Sequence, residues 1–396
     1  MTTKAAVGTS YHHNPNVAGR EAAEQALRNA GLEKPDFVFM FATVGYDQRS
    51  VLQAVREATG GAPLCGCSGE GTIGGNYADE SNHSVVVMAI SSDELRWRNG
   101  LATGLSTDSR AGGQQVAQSL SSDVSADAVG LFVFPDGTTV NFDEFFAGLE
   151  GELSSDRFLP IWGGGAGDNL AMRQTYQYCD DEVVSDGVAY ALLSGEALPA
   201  WAIDVGYVPI GGERKVTRSQ GNVIYEIDGK PAVEVLQEYL PDPALAENWG
   251  ARLANSFALC FRAPNYIKDE DYIFRAVLSV NKAEGSLSLA TAVQEGTSVW
   301  FSSRNQEKVT TGLDRMATQI KRQLGDTQPK LVFHFDCTAR GKTMFRDQEK
   351  LRILRGFRQA VGPDVPWVGF YTFGEIGPVG EHNCHHNYTA VVLALS

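Results

Sequence analysis

Three stretches decide the fold: APLCGCSGEGTIGG (62–75), LPIWGGGAGDNLAM (159–172) and VPWVGFYTFGEIGP (365–378). Each carries Pro-x-x-Gly followed by a glycine-rich turn, at Pro63–Gly66, Pro160–Gly163 and Pro366–Gly369, and the three align without a gap. The first and third also share Gly71/Gly374 and Ile73/Ile376. A strand-like run and a helical stretch precede each block. DFVFMFATV, AVGLFVFPDG and KLVFHFDCTA supply the strands, and HSVVVMAIS, GVAYALLSG and NYTAVVLALS follow as further strands. Self-similarity outranks local propensity in reading a fold. The copies are few and long, so this is duplication inside a globular body and not a solenoid.

The unit extends backwards. AVGTSYHHNPNVAGREAAEQALRNAGL, NGLATGLSTDSRAGGQQVAQSLSS and AVQEGTSVWFSSRNQEKVTTGLDRMATQIKRQL each read as strand, polar turn and amphipathic helix. In the first, Ala22, Ala26, Leu27 and Ala30 fall at helical spacing. The predicted class is α/β, with mixed sheets flanked by helices, internally duplicated units and two packed halves. Residues 211–285 break the pattern. GNVIYEIDGKPAVEVLQEYL reads as strand, Asp-Gly turn and helix, and DYIFRAVLSVNKAEGSLSLATAV as a hairpin or meander. A boundary near Gly211–Gly212 follows: an N-terminal domain over 1–210 with two copies, and a C-terminal domain over 211–396 with the insert and the third. The glycines of the turns are read as suppliers of positive φ.

Bulk composition narrows the function. The chain has 396 residues, 43% of them hydrophobic and 20% charged, with a formal net charge of −15. That charge disfavours nucleic acid and anionic lipid. No run reaches the roughly 18 apolar residues of a membrane helix, and the N-terminus has no apolar signal region. Cys65 and Cys67, one residue apart, suit neither a disulfide nor a zinc clip, so reduced thiols in the cytoplasm are expected. Arg352, Arg355 and Arg358 read as the solvated face of an amphipathic helix.

The repeat serves as an internal control for chemistry. With LVFHFDC aligned to FVFMFAT and GLFVFPD, His334 stands opposite Met40 and Val133, Asp336 opposite Ala42 and Pro135, and Cys337 opposite Thr43 and Asp136. A histidine inside an otherwise apolar strand costs desolvation unless something binds it. It is either a hydrogen-bonded core residue or a ligand-facing one. Cys337, Thr338 and Arg340 follow at the carboxyl end of the strand, where α/β sheets place ligands, and the Arg340 fork suits a carboxylate. EHNCHHNYT carries His382, Cys384, His385 and His386. It supplies no second ligand pair for structural zinc, but one imidazole suffices for a haem iron. The glycine turns do not fit a phosphate loop, and Ser68 fails the nucleophile-elbow spacing.

GCSGEGTI (66–73), FDCTARG (335–341), FGEIGP (373–378) and HNYT (386–389), in that order, resemble the FIST family, named for F-box and intracellular signal transduction proteins. The resemblance covers nearly the full length. It implies a cytoplasmic small-molecule sensor that acts through a separate partner. The chain is also similar to stand-alone bacterial FIST proteins of the NosP type. That similarity implies haem b as cofactor, a diatomic gas as ligand, and a histidine kinase or a cyclic-di-GMP enzyme as partner in trans. The ligand-binding candidates are Asp336, Cys337, Thr338, Arg340, Tyr371 and Glu375. The haem-iron candidates are His386 and His334, and Arg340 would meet a propionate. Two alternatives stay open: a sensor that binds an amino acid or small carboxylate through Arg340, and an enzyme with Cys337 or Cys67 as nucleophile and His334 or His386 as base.

Overall fold

The computed structural model describes residues 2–153, 158–250, 256–262, 272–289 and 291–396. These residues form two compact units, Met1–Asp204 with Leu313–His385 and Thr389–Ser396, and Val205–Gly312 with His386–Tyr388. All three copies of the repeat lie in the first unit.

The first copy runs β1 (Thr3–Ser10), α1 (Pro15–Ala30), β2 (Phe37–Ala42), α2 (Gln48–Ala58), β3 (Leu64–Ser68), β4 (Gly71–Gly74), β5 (Tyr77–Asp79) and β6 (Val85–Ser92). Asn14 and Asp47 cap the two helices, accepting from Val17 and Ser50 amides respectively. The second copy repeats this as β7 (Leu95–Thr103), α3 (Ser109–Leu120), β8 (Ala128–Pro135), α4 (Phe142–Glu152), β9 (Ile161–Gly164), β10 (Gln177–Cys179), β11 (Glu182–Val184) and β12 (Gly187–Gly195). β13 (Pro199–Asp204) opens the third copy.

The second unit intervenes. Its strands are β14 (Tyr207–Gln220), β15 (Val223–Ile227), β16 (Lys230–Pro231), β17 (Phe257–Arg262), β18 (Tyr272–Asn281), β19 (Ser286–Leu289) and β20 (Ser298–Arg304), with helix α5 at Ala232–Gln237. They pair in the order β14-β20-β17-β18-β19-β15, and β15 also pairs with β14, so the ladder closes on itself. Val216, Ile224, Leu259, Val277, Leu287, Val299 and Phe301 fill one face of it. The third copy resumes with α6 (Gln306–Leu324), β21 (Leu331–Cys337), α7 (Asp347–Val361), β22 (Trp367–Thr372), β23 (Glu375–Val379), β24 (His382–His386) and β25 (Ala390–Leu395).

The duplication is plain in the ladders. In each copy a central strand pairs parallel with the strand before the glycine turn and antiparallel with the last strand: β2 with β3 and β6, β8 with β9 and β12, β21 with β22 and β25. Each last strand pairs outward with β1, β7 or β13. The third edge strand corrects the expectation. β20, which directly precedes α6, is taken by the second unit, and β13 fills the role. The interruption of the repeat therefore runs over 205–305, wider than 211–285.

The copies also exchange hairpins. β4–β5 extends the third sheet through β22, β10–β11 extends the first through β3, and β23–β24 extends the second through β9. Because side chains alternate along a strand, one face of each central strand points inward. Phe39, Phe132 and Phe333 meet there with ring centroids 4.7–5.3 Å apart. Phe41, Phe134 and Phe335 form a second layer at 5.3–6.5 Å. The opposite faces pack on the helices, in separate clusters around Met40, Leu131 and Val332.

Positive φ is found at Gly75, Gly163 and Gly374, at 58°, 148° and 106°, but the recurrent glycine of Pro-x-x-Gly has a steric reason shared by all three copies. A Cβ on Gly66, Gly163 or Gly369 would fall 1.7, 1.9 or 1.8 Å from the carbonyl oxygen of Met40, Val133 or His334, its neighbour across the parallel ladder. Within 62–75 only Gly75 has positive φ. The arginine face of α7 is likewise not all solvated. Arg358 is buried and donates to Asn76 Oδ1 and to the carbonyls of Pro363 and Val365.

Alanine at Gly66, Gly163 or Gly369 should each cost about 3 kcal/mol or more, because backbone must move. Gly151→Ala, in α4 with nothing within 4 Å of an added Cβ, should gain about 0.5–1 kcal/mol. Urea unfolding midpoints check both directions.

Candidate functional site

β21 brings most of the predicted residues to one end of the third sheet. Phe333 and Phe335 take the inward face, so His334 points at the helices, where its ring lies 5.9 Å from both Phe357 and Trp367. Trp367 Nε1 donates to His334 Nδ1 at 3.4 Å. His334 Nε2 faces Asp336 Oδ2 at 3.4 Å, an ion-pair distance with poor hydrogen-bond alignment. The residue that looks anomalous against Met40 and Val133 is thus held by two neighbours in a packed layer.

Asp336 serves two partners. Its Oδ1 accepts from Arg340 Nε at 2.7 Å, and the Arg340 NH1 group reaches the Asp204 carbonyl at 3.4 Å. Both side chains are buried. Burial alone would raise the Asp336 carboxyl, but Arg340 and His334 outweigh it and hold it below the usual carboxylate range. Burial would lower Arg340, and Asp336 with Asp204 raises it instead. The fork expected to clamp a ligand carboxylate is therefore already clamped. Cys337 is buried behind it, and the buried Thr338 hydroxyl has no partner among the described residues.

Tyr371, opposite Asp336 in the ladder, joins this pair to a second one. Lys350 on α7 lies 5.5 Å over the Tyr371 ring and bonds Glu80 Oε2 at 2.6 Å. The Lys342 amide donates to the same oxygen at 2.7 Å, and its Nζ to the Glu80 carbonyl at 3.1 Å. Burial pushes Glu80 up, against Lys350 and Lys342, and it pushes the Tyr371 hydroxyl well up. Glu80, Lys342 and Lys350 were not foreseen. Glu80 belongs to the first copy, 262 and 270 residues from its partners, and reaches them only through the exchanged β4–β5 hairpin.

Glu375 stands apart, fully buried at the start of β23. It accepts from the hydroxyls of Thr372 and Thr389 and from the Thr389 amide at 2.9 Å. Burial raises it to about 7, against those three bonds. His386 does not join the β21 residues. With Asn387 and Tyr388 it groups with the second unit, where Asn387 Oδ1 accepts from the Ala276 amide at 3.3 Å.

That unit presents a different chemistry. The register places Ala258, Cys260, Arg262, Tyr272, Phe274, Ala276, Trp300 and Ser302 on one face of β17, β18 and β20. Rings run along it in contact: Tyr388 to Tyr207 at 5.1 Å, Tyr207 to Phe274 at 5.6 Å, Phe274 to Tyr272 at 6.4 Å, Tyr272 to Trp300 at 5.5 Å. Arg304 lies over both Tyr207 and Tyr388, at 5.1 and 4.9 Å, and Arg262 over Trp300 at 5.3 Å. Tyr388 holds a φ of 64°, a left-handed conformation that is costly for a bulky side chain. Among the described residues no group of three or more His, Cys, Asp or Glu could hold a metal ion, and no helix is long and apolar enough to cross a membrane.

Comparison with known proteins places these motifs. The FIST N domain matches residues 36–230, and the FIST C domain matches residues 232–378. The chain belongs to the FIST family. FIST domains are small-ligand sensing modules that associate with signalling proteins. The FIST N match takes in β2 to β15, leaving β1 and α1 outside, and the FIST C match takes in α5 to most of β23, leaving residues 379–396 outside. Two uncharacterized proteins of Mycobacterium tuberculosis are each 25% identical to this FIST chain over 97% of it, covering 96% and 97% of their own lengths. An uncharacterized protein of Methanocaldococcus jannaschii is 24% identical, with 97% of this chain and 78% of that protein covered. Among solved structures, a chorismatase and a cyanuric acid hydrolase from A. caulinodans align with a TM-score of 0.37 each, at 8% and 10% identity, over 100% of this chain and 99% of theirs.

Glu375 gives the FIST chain a definite pH response. Its raised carboxyl favours the fold while neutral, so that stability is present below the ordinary carboxyl range and lost as pH rises through about 7. Glu375→Gln should flatten this part of the stability–pH curve between about pH 5 and pH 8, as read by urea midpoints across that range. Asp336 has the opposite sign. Its lowered carboxyl contributes above the ordinary range and is lost in acid. Asp336→Asn, which leaves buried Arg340 without its anion, should cost about 3–5 kcal/mol at neutral pH.

Proposed function

We propose that this FIST chain is a non-catalytic cytoplasmic sensor that takes a planar, anionic ligand on the aromatic–arginine face of the second unit and reports to a separate signalling partner. The observation that carries this is the HNYT segment. It holds Tyr388, in a costly backbone conformation, against Tyr207 and Arg304. Aromatic rings and guanidinium planes stack on planar ligands, and a buried arginine is the group that meets a carboxylate. Tyr207, Phe274, Trp300, Tyr388 and Arg304 are all buried. A ligand reaches them only when the face opens, so binding is coupled to a conformational change, and that coupling is what a sensor transmits.

Haem b is the ligand or cofactor this face suits best in kind. His386, two residues before Tyr388, would offer the imidazole, the ring row the apolar wall, and Arg304 the cation for a propionate. Haem would supply an iron able to bind a diatomic gas. His334 does not fit that role, since Trp367 and Asp336 face its two nitrogens. Nor does Arg340 fit as the carboxylate clamp, being committed to Asp336; Arg304 replaces it. A histidine kinase or a cyclic-di-GMP enzyme in trans is the proposed partner. The six cysteines are free and buried, which supports a reducing compartment. Burial pushes the Cys67 thiol well up, which supports a packing role there and not a nucleophile.

Reconstitution with hemin tests the proposal. A Soret band should form, vanish in His386→Ala and persist in His334→Ala. Arg304→Ala should weaken hemin binding by about tenfold, the worth of one charge-assisted contact. A band lost in His334→Ala and kept in His386→Ala would overturn the site. Without any band, planar aromatic carboxylates become the probes, and thermal shifts unaffected by Arg304→Ala would refute this face altogether.

A further inference from the structure

The most strained segment of the described chain lies far from these groups in sequence and touches none of them. Asn169, Leu170 and Met172 have φ of 60°, 60° and 52°. A left-handed backbone costs a non-glycine residue about 1 kcal/mol or more. Two buried carboxyl groups hold it in place. Asp168 accepts from the amides of Met172 at 2.9 Å, Arg173 at 2.6 Å and Gln174 at 3.0 Å. Glu70, wholly buried, takes the amides of Asp168 at 2.7 Å and Leu170 at 2.9 Å on one oxygen, Oε1. Its other oxygen, Oε2, is buried with no partner among the described residues. The loop so held displays Leu170 and Met172, 46% and 62% exposed.

Glu70 is anchored from behind. Its amide donates to the Tyr371 carbonyl at 2.9 Å, and a Cβ on Gly167 would fall 2.8 Å from its Cγ. The carboxyl therefore cannot retreat, and the loop is the side that can give. The charged groups facing it are Lys342, from the segment after β21, and Asp168 of the loop itself. Glu80, whose Cα and Cγ crowd Gly71 next to Glu70, is already neutralised by Lys350. Among the described residues Lys342 is the cation that acts on Glu70, opposed by Asp168.

We infer that Glu70 is a proton-controlled latch on the 168–174 loop. As a neutral acid it stays buried and keeps both amides. When ionised it draws water to the unpartnered Oε2, gives up the amides and lets the left-handed residues relax, carrying Leu170 and Met172 with them. The sign follows from the environment. Burial raises Glu70 to about 7, and the two amides and Lys342 only partly offset it. Closure is thus favoured below the ordinary carboxyl range and lost as pH rises through neutrality.

Amide hydrogen exchange across 166–176 tests the latch on the full chain, between about pH 4.5 and about pH 8.5, corrected for base-catalysed exchange. Protection of the Asp168 and Leu170 amides should fall by up to about tenfold per pH unit between the ordinary carboxyl range and about 7, where opening releases a proton, and level off above it, where Glu70 is ionised in both states. Glu70→Gln, whose amide oxygen accepts the same two bonds and cannot ionise, should show flat protection. Leu170→Gly, which removes left-handed strain, should raise protection several-fold at the alkaline end. A flat wild-type profile, or an equal slope in Glu70→Gln, overturns the latch. If Glu70→Gln does not fold, the glycine variant decides: unchanged protection refutes the proposal, and a gain upholds it.

Discussion

Everything in the first unit hangs on the approach of three parallel strand pairs to a common axis. Phe39, Phe132 and Phe333 touch only because β2, β8 and β21 converge, and those strands are each backed by a neighbour whose glycine admits a carbonyl oxygen into Cβ space. Aromatic rings stacked edge to face fill such an axis densely and tolerate no polar group there. The constraint also explains why polar innovation occurs elsewhere. With the inward positions reserved for phenylalanine, only the helix-facing positions and the strand ends are free to vary, and His334, Asp336 and Glu375 all lie at such places.

Hairpin exchange turns three similar layers into one body. Each sheet is completed by β-strands from another copy, so no copy can bury its edge alone. A consequence is that chemistry assembles across copies. Glu80 comes from the first copy and meets Lys350 of the third; Glu70 of the first binds the loop of the second and hydrogen-bonds Tyr371 of the third. Buried charge at such seams is expensive unless paired, and the pairs tie the exchanged elements in register.

The repeat was legible in sequence because its signals are local: strand runs, Pro-x-x-Gly, and helix stretches at matching offsets. The α/β class and the mixed ladders follow from those. The edge strand of the third copy was not legible, since β20 and β13 are both short apolar runs and only tertiary pairing chooses between them. His334 stands out in sequence against Met40 and Val133, but the sequence does not reveal that Trp367 and Asp336 face its nitrogens. Arg340 shows the same limit: a free fork in sequence, it is spent four residues away. Glu80, Lys350 and Glu70 carried no motif, because their partners come from other copies, through exchange that no spacing records.

Comparison of the strand ends shows what distinguishes the third copy. Thr43 and Ser84 close the first copy: the Thr43 amide donates to the Ser84 carbonyl, the Ser84 amide donates to Thr43 Oγ1, and the Thr72 and Ser84 hydroxyls pair. In the third copy Cys337 and Thr389 take the corresponding places, with the same amide-to-carbonyl bond, and Glu375 bonds Thr389 where Thr72 bonds Ser84. A neutral hydroxyl pair has become a hydroxyl–carboxyl pair in an equally dry setting. Substitution of a carboxyl for a hydroxyl there gains little packing and adds a group whose charge the interior resists. Thr389 directly follows Tyr388, the residue that reaches the aromatic face of the second unit. The titrating carboxyl is therefore bonded to the residue that directly follows Tyr388, whose backbone is held in the left-handed region.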